Sequence, residues 1–190
     1  MKYLLFFIPL LFLSTFVKAQ SVALPDDKAS VNPANSGNLS PQPAASVPFT
    51  YVNKEWLEER FNQMSDSTYV INFWATWCKP CVEELPIFNL VRDGFVGQNV
   101  TVLLISTDSK KIRDTKLATF ITEKDIRSQV LWMNESNPND WINTVNPNWS
   151  GAIPATLVFN KHNGYMWFQE GEVTIGDIQL KILEAQKNPY

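Results

Sequence analysis

Cysteine and histidine are the scarce residues of this chain: two cysteines, Cys78 and Cys81, and one histidine, His162, among 190 residues. A single cysteine pair with one distant histidine is a poor start for a zinc site, which needs four well-placed ligands. No metal and no cofactor are expected. Runs of basic residues are absent and the net charge is −3, so nucleic-acid binding through charge is not expected either. No internal repeat and no extra dimerisation domain are visible, and a monomer is the default. No cysteine lies near the first small-residue cleavage point, which excludes lipid acylation of a new N-terminal cysteine.

What is present begins with Met1-Lys2, an apolar stretch from Tyr3 to Phe16, and Val17-Lys18-Ala19-Gln20. A positive start, a short apolar centre and a small residue before the cut describe a secretory signal peptide over residues 1–19, cleaved after Ala19. The alternative is an uncleaved membrane anchor, for which the apolar run is short. From Gln20 to Val47 the chain is rich in Pro, Ala, Ser and Asn with little apolar periodicity, as expected of a flexible linker. The folded domain is expected over residues 48–190.

Cys78-Lys79-Pro80-Cys81 follows the β-rich run Thr68–Ala75 and opens an expected helix from about Lys79 to Phe95, interrupted by Pro86, where a kink is expected. A cysteine at a helix start lies beside unsatisfied N–H groups and the positive end of the helix dipole, both of which favour a thiolate. Lys79 adds positive charge nearby, and Pro80 suits a first turn that needs no N–H. Such a pair can carry thiol–disulfide exchange. A purely structural bridge remains an alternative in an exported protein, although a two-residue loop constrains the unfolded chain little.

Other elements follow from periodicity. Asn53 is a candidate N-cap for a helix whose apolar stripe is Trp56, Leu57, Arg60, Phe61 and Met64. Val100–Ser106 has the near-continuous apolar character of a central strand. Asp108 to about Lys124 is expected as a helix, Gln129–Met133 as a strand, and Pro138–Pro147 as a short helix or a turn. Ala155–Asn160 and Tyr165–Gln169 form an expected hairpin across Lys161-His162-Asn163-Gly164, with His162 an exposed turn residue. A final helix is expected from Ile175 to Gln186. The order points to an α/β sandwich around a mixed sheet.

Phe73-Trp-Ala-Thr-Trp-Cys-Lys-Pro-Cys81, Gly151-Ala-Ile-Pro154 before a strand, and Gly171 together resemble the thioredoxin superfamily. The chain is most similar to its exported TlpA/ResA-type members, over roughly residues 48–190. The resemblance implies a thioredoxin-like three-layer sandwich with a strand–helix insertion after the CxxC helix and the strand that follows it, falling around Ser106–Trp149. It implies a cis bond before Pro154, with the Ile153 backbone beside Cys78 and free to pair with a substrate segment. It implies that Trp77 covers one side of the site; Trp74 either packs beneath it or belongs to the core. Asn72 stands where cytoplasmic thioredoxins carry a buried aspartate, and Asn72 cannot ionise. Glu84, three residues after Cys81, matches a glutamate associated with the site in ResA-like proteins; its alternative is a solvated helix position, the expectation for Glu83.

The implied activity is protein-disulfide reduction. Cys78 attacks a substrate disulfide, Cys81 resolves the mixed disulfide, and Glu84 takes a proton; Trp77, Lys79, Pro80, Ile153 and Pro154 meet the substrate. The implied partners are oxidised exported proteins, among them apocytochrome c awaiting haem in cytochrome c maturation, and a membrane thiol electron donor, in the periplasm. Open alternatives are a DsbA-like oxidase, a thiol peroxidase and a non-enzymatic, chaperone-like binding module.

Overall fold

The computed structural model describes residues 48–187. The expected leader (1–19) and linker (20–47) lie outside the described residues. The elements are β1 (Phe49–Val52), α1 (Lys54–Asn62), β2 (Thr68–Trp74), α2 (Lys79–Gly94), β3 (Val100–Ser106), α3 (Lys110–Ile112), α4 (Ala118–Glu123), β4 (Gln129–Met133), α5 (Ile142–Val145), β5 (Ala155–Asn160), β6 (Tyr165–Glu170) and α6 (Ile175–Gln186). A π-helical turn (Arg113–Leu117) joins α3 to α4, and a 3-10 turn (Pro138–Asp140) precedes α5.

The sheet has six strands in the order β1-β4-β3-β2-β5-β6. β1, β4, β3 and β2 pair in parallel, whereas β5 lies antiparallel to both β2 and β6. The centre is β2, buried at all seven residues. Alternation along this strand sends Val70 and Trp74 to one face and Tyr69, Ile71 and Phe73 to the other. The first face packs on Phe88 and Val91 of α2, Leu117 and Ile121 of the α3–α4 segment, and Ile178 and Ile182 of α6. The second packs on Leu57 of α1, Ile142 and Val145 of α5, and Trp141 and Trp149. Helices on both faces of a mixed sheet make the three-layer thioredoxin-like sandwich, and cover on both sides explains why β2 and β3 read as continuous apolar runs.

Local signals hold several boundaries. The Asn53 side chain accepts from the Trp56 N–H at 3.0 Å and caps α1. Thr174 and Asp177 form a reciprocal capping box at the start of α6. Gly164, at φ +63°, supplies the left-handed residue of the β5–β6 turn, in which His162 is exposed.

Four expectations are corrected. Strand β1 is an element additional to the expected order. Only Phe49 and Val52 of its four residues are buried, too little apolar alternation to mark a strand, and it exists by pairing with Val130–Met133 of β4. Met64 lies beyond the end of α1 and is 68% exposed, outside the apolar stripe. The single helix expected from Asp108 to Lys124 is instead α3, a π turn and α4; the π turn carries Arg113 inward, its guanidinium 4.2 Å from the centre of the Trp132 ring. α2 is one unbroken helix through Pro86, which sits on its exposed side. The Pro138–Pro147 stretch contains the 3-10 turn and α5, both short.

Candidate active site

The site is assembled where β2 and β3 end side by side. Their parallel register pairs Trp74 with Ser106, so the residues two beyond each, Thr76 and Asp108, come together. The buried Asp108 carboxylate accepts from the Thr76 N–H at 3.1 Å, from the Thr76 hydroxyl at 2.8 Å and from the Ser106 hydroxyl at 2.9 Å. Its backbone carbonyl accepts from Trp132 Nε1 at 2.7 Å. The Thr107 N–H donates to the Trp74 carbonyl at 2.8 Å. Together these bonds fix the three-residue path from the strand to Cys78.

Cys78 is the N-cap of α2 and is joined to Cys81 by a disulfide, with Cα atoms 5.3 Å apart. The Cys81 N–H donates to Cys78 Sγ at 3.3 Å. An N-cap sulfur facing a first-turn N–H is placed to have its anion stabilised, because that N–H has no partner within the helix. Cys78 is 6% exposed and Cys81 is fully buried. Cys78 is therefore the more exposed of the two. Pro80 stands in the first turn, where its missing N–H costs nothing. The Lys79 ammonium lies 3.7 Å from the Glu83 carboxylate on the open surface, so its charge is shared with Glu83 and screened by solvent.

Ile153 and Pro154 face the pair from the start of β5. The Ile153 carbonyl oxygen is 3.7 Å from Cys78 Sγ, and the Ile153–Pro154 peptide bond is cis. The Gly171 N–H, at φ +97°, donates to the Pro154 carbonyl at 2.8 Å and ties this corner to the end of β6. Trp77 is 63% exposed. It borders a groove of about 450 Å³ lined by Asp108, Lys110, Trp132, Glu135, Pro138 and Trp141. A second groove of about 210 Å³ shares Trp77, Pro138 and Trp141 and reaches Ile153. Trp74 does not belong to this surface; it is fully buried against Phe120, with ring centres 5.7 Å apart.

Glu84 is buried in α2, one turn beyond Cys81, and is not a solvated helix position. Its carboxylate accepts from Asn72 Nδ2 at 2.8 Å and from the Val173 N–H at 3.1 Å. Burial pushes its pKa up from 4.5 to about 7, against the lowering effect of those two donors, and the Glu172 charge adds to the rise. A carboxyl whose pKa burial raises to about 7, one helical turn beyond a cysteine pair, is suited to take up and release a proton near neutral pH. Among the described residues no group of three or more His, Cys, Asp or Glu is placed to hold a metal ion.

The structure thus brings Cys78, Cys81, Ile153, Pro154 and Trp77 together, buries Glu84 one helical turn beyond Cys81 and leaves Lys79 facing solvent. Sequence reasoning missed Asp108, Val173 and Thr156, whose hydroxyl accepts from Asn72 Nδ2 at 3.1 Å. Only the strand register, which no local pattern encodes, joins Asp108 to Thr76. Val173 and Thr156 act from chain segments more than 70 positions beyond Cys81.

The AhpC/TSA family model matches residues 42–164. The thiol–disulfide oxidoreductase ResA of Geobacillus thermodenitrificans is 27% identical over 136 residues, covering 69% of this chain and 70% of that protein. ResA of Geobacillus kaustophilus is 28% identical over 127 residues, covering 64% of this chain and 65% of its own length. A thioredoxin-related protein of Neisseria meningitidis serogroup B superposes with a TM-score of 0.56 at 23% identity, over 65% of this chain and 87% of that one. A thiol:disulfide interchange protein of the thioredoxin family from Chlorobium tepidum TLS gives 0.52 at 20% identity, over 65% and 83%. These two likenesses speak for the fold.

Proposed function

The chain belongs to the AhpC/TSA family and is a ResA-like thiol–disulfide oxidoreductase of the thioredoxin superfamily; from that premise we propose that it is an exported reductant of protein disulfides. The observation that carries the proposal is the asymmetry of the pair: Cys78 at a helix N-cap, marginally exposed and beside the Ile153 carbonyl, over a fully buried Cys81.

In the reductive direction the Cys78 thiolate attacks one sulfur of a substrate disulfide. That S–S bond breaks, a mixed disulfide forms on Cys78, and the departing substrate sulfur takes a proton. Cys81 then passes its proton to Glu84 and attacks Cys78 Sγ. The mixed disulfide breaks, the second substrate sulfur leaves as a thiolate and takes up the proton that Glu84 accepted, and the Cys78–Cys81 disulfide is restored. Two electrons have moved to the substrate. A membrane-held dithiol donor returns them, because an oxidising compartment does not.

The substrate segment lies extended against Ile153, with apolar side chains entering the grooves beside Trp77, Pro138 and Trp141. Its chemistry is that of an oxidised exported polypeptide, and an apocytochrome c with its cysteines oxidised fits that class. The signal peptide over residues 1–19 directs the domain to the periplasm, or holds it at the membrane if uncut.

Equilibration of the Cys78–Cys81 pair against thiol buffers tests the direction. A potential near thioredoxin's, about −270 mV, or below supports a reductant, and one near DsbA's, about −120 mV, makes the protein an oxidase.

A further inference from the structure

Glu84 poses a problem of proton accommodation that its two hydrogen-bond partners, as they are oriented, do not solve. Both of its oxygens face N–H donors: Asn72 Nδ2 at 2.8 Å on one, the Val173 N–H at 3.1 Å on the other. That arrangement suits a carboxylate. Once protonated, the buried acid is also a donor, and a donor pointed at an N–H is unsatisfied, which costs of the order of a hydrogen bond or more. The Val173 N–H belongs to the backbone and cannot turn. The Asn72 side chain can.

Asn72 is fully buried, and its Oδ1 has no hydrogen-bond partner among the described residues. A buried amide oxygen left free is unusual enough to require a reason. Its Nδ2 also lies 3.1 Å from Thr156 Oγ1 and 3.5 Å from the Ala155 carbonyl. Half a turn about the last side-chain bond exchanges Oδ1 and Nδ2. It would bring a carbonyl to Glu84 in place of an amine, while the Thr156 hydroxyl changes from acceptor to donor by rotating its own proton. The contact to Ala155 is lost, and Nδ2 comes to lie where Oδ1 has no partner among the described residues, so the turn trades a bonded amine for a bonded carbonyl. No hydrogen bond of Oδ1 to the described residues has to break for the turn; its cost is the Nδ2 left without an acceptor, set against the protonated Glu84 that it satisfies.

We propose that Asn72 is the positioning residue that lets Glu84 hold a proton, its amide donating through Nδ2 to the carboxylate and, turned over, accepting through Oδ1 from the carboxylic acid. No step of the exchange passes through Asn72 itself. It acts through Glu84, and the inference rests on Glu84 serving the cysteine pair as proton acceptor. The other groups able to influence this acid are the Glu172 charge and the two cysteines at the start of its own helix. Neither of its two hydrogen-bond donors is a basic side chain.

Nuclear magnetic resonance on the full chain tests the proposal, with Glu84 Cδ reporting protonation and the Asn72 side-chain amide reporting orientation. Between pH 5 and pH 9 the two signals are expected to move with one midpoint, and contacts of the Asn72 amide protons to the Thr156 methyl group should change over the same range. Glu84→Gln gives an independent readout. The Val173 N–H claims the Gln oxygen, so the Gln amine faces Asn72 and holds it turned over at every pH. The Asn72 signals of this variant should match those of the parent at low pH and lose their pH dependence. An Asn72 amide that keeps one orientation while Glu84 Cδ titrates overturns the proposal, as does an Asn72 signal in Glu84→Gln that matches the parent at high pH. Disulfide exchange measured on the same samples separates the two levels. A fixed Asn72 with intact exchange defeats this inference alone, whereas no exchange at all defeats the functional reading beneath it.

Discussion

Replacing Cys78 with serine removes the more exposed cysteine, the attacking one in the proposed exchange, so exchange with thiol buffers should fall to background. Cys81→Ser leaves the attacking thiol and removes the resolving one; incubation with an oxidised substrate should then build up a mixed disulfide on Cys78, visible as added mass. At Glu84 the sign of the pH dependence follows from a pKa raised by burial from 4.5 to about 7. The ionised form is the one that can accept the Cys81 proton, so the exchange rate should rise through about pH 7, and Glu84→Gln should remove that limb. The same shift acts on folding with a definite sign. The folded state holds this proton more tightly than the unfolded chain, so Glu84 contributes stability fully below about pH 4.5 and loses it as pH rises through about 7. Urea midpoints at pH 5 and pH 8 should differ less in Glu84→Gln than in the parent.

The elements around the site differ in how openly the sequence declared them. Strands β2 and β3, the Asn53 cap and the Ile175–Gln186 helix were legible because each depends on neighbours in the chain: alternating or continuous apolar residues, a capping side chain, a helical stripe. Strand β1 was not, because Phe49–Val52 acquires its conformation from a partner some 80 positions away. The split of the 108–124 helix was hidden for the same reason, since Arg113 turns inward to meet the rings of Trp132 and Tyr51. The cysteine pair and its helix were evident at once, whereas the clamp that aims them was not. Asp108→Ala should expose the worth of that clamp. It strands the Thr76 N–H and two hydroxyls, and stability should drop by roughly 2–3 kcal/mol in urea unfolding, as expected for buried donors left without acceptors. Exchange should slow as the path from β2 to Cys78 loosens. Asp108→Asn keeps an acceptor and should retain most of both.

At the scale of the whole molecule, the six-stranded sheet and its two helical layers give a rigid support on which Cys78, Ile153 and Trp77 share one surface. Among the described residues no helix is long and apolar enough to cross a membrane, so the attachment or export proposed here rests on residues 1–19. Mass spectrometry of the exported protein should show a new N-terminus at Gln20. The difference in exposure between the two cysteines, Cys78 marginally open and Cys81 closed off, has a kinetic consequence. Electrons arriving and electrons leaving must use one and the same doorway. On the proposed function, donor and substrate both react at Cys78 and exclude one another there, so each turnover alternates between two half-reactions; initial rates should follow ping-pong kinetics, with excess of either partner inhibiting the other.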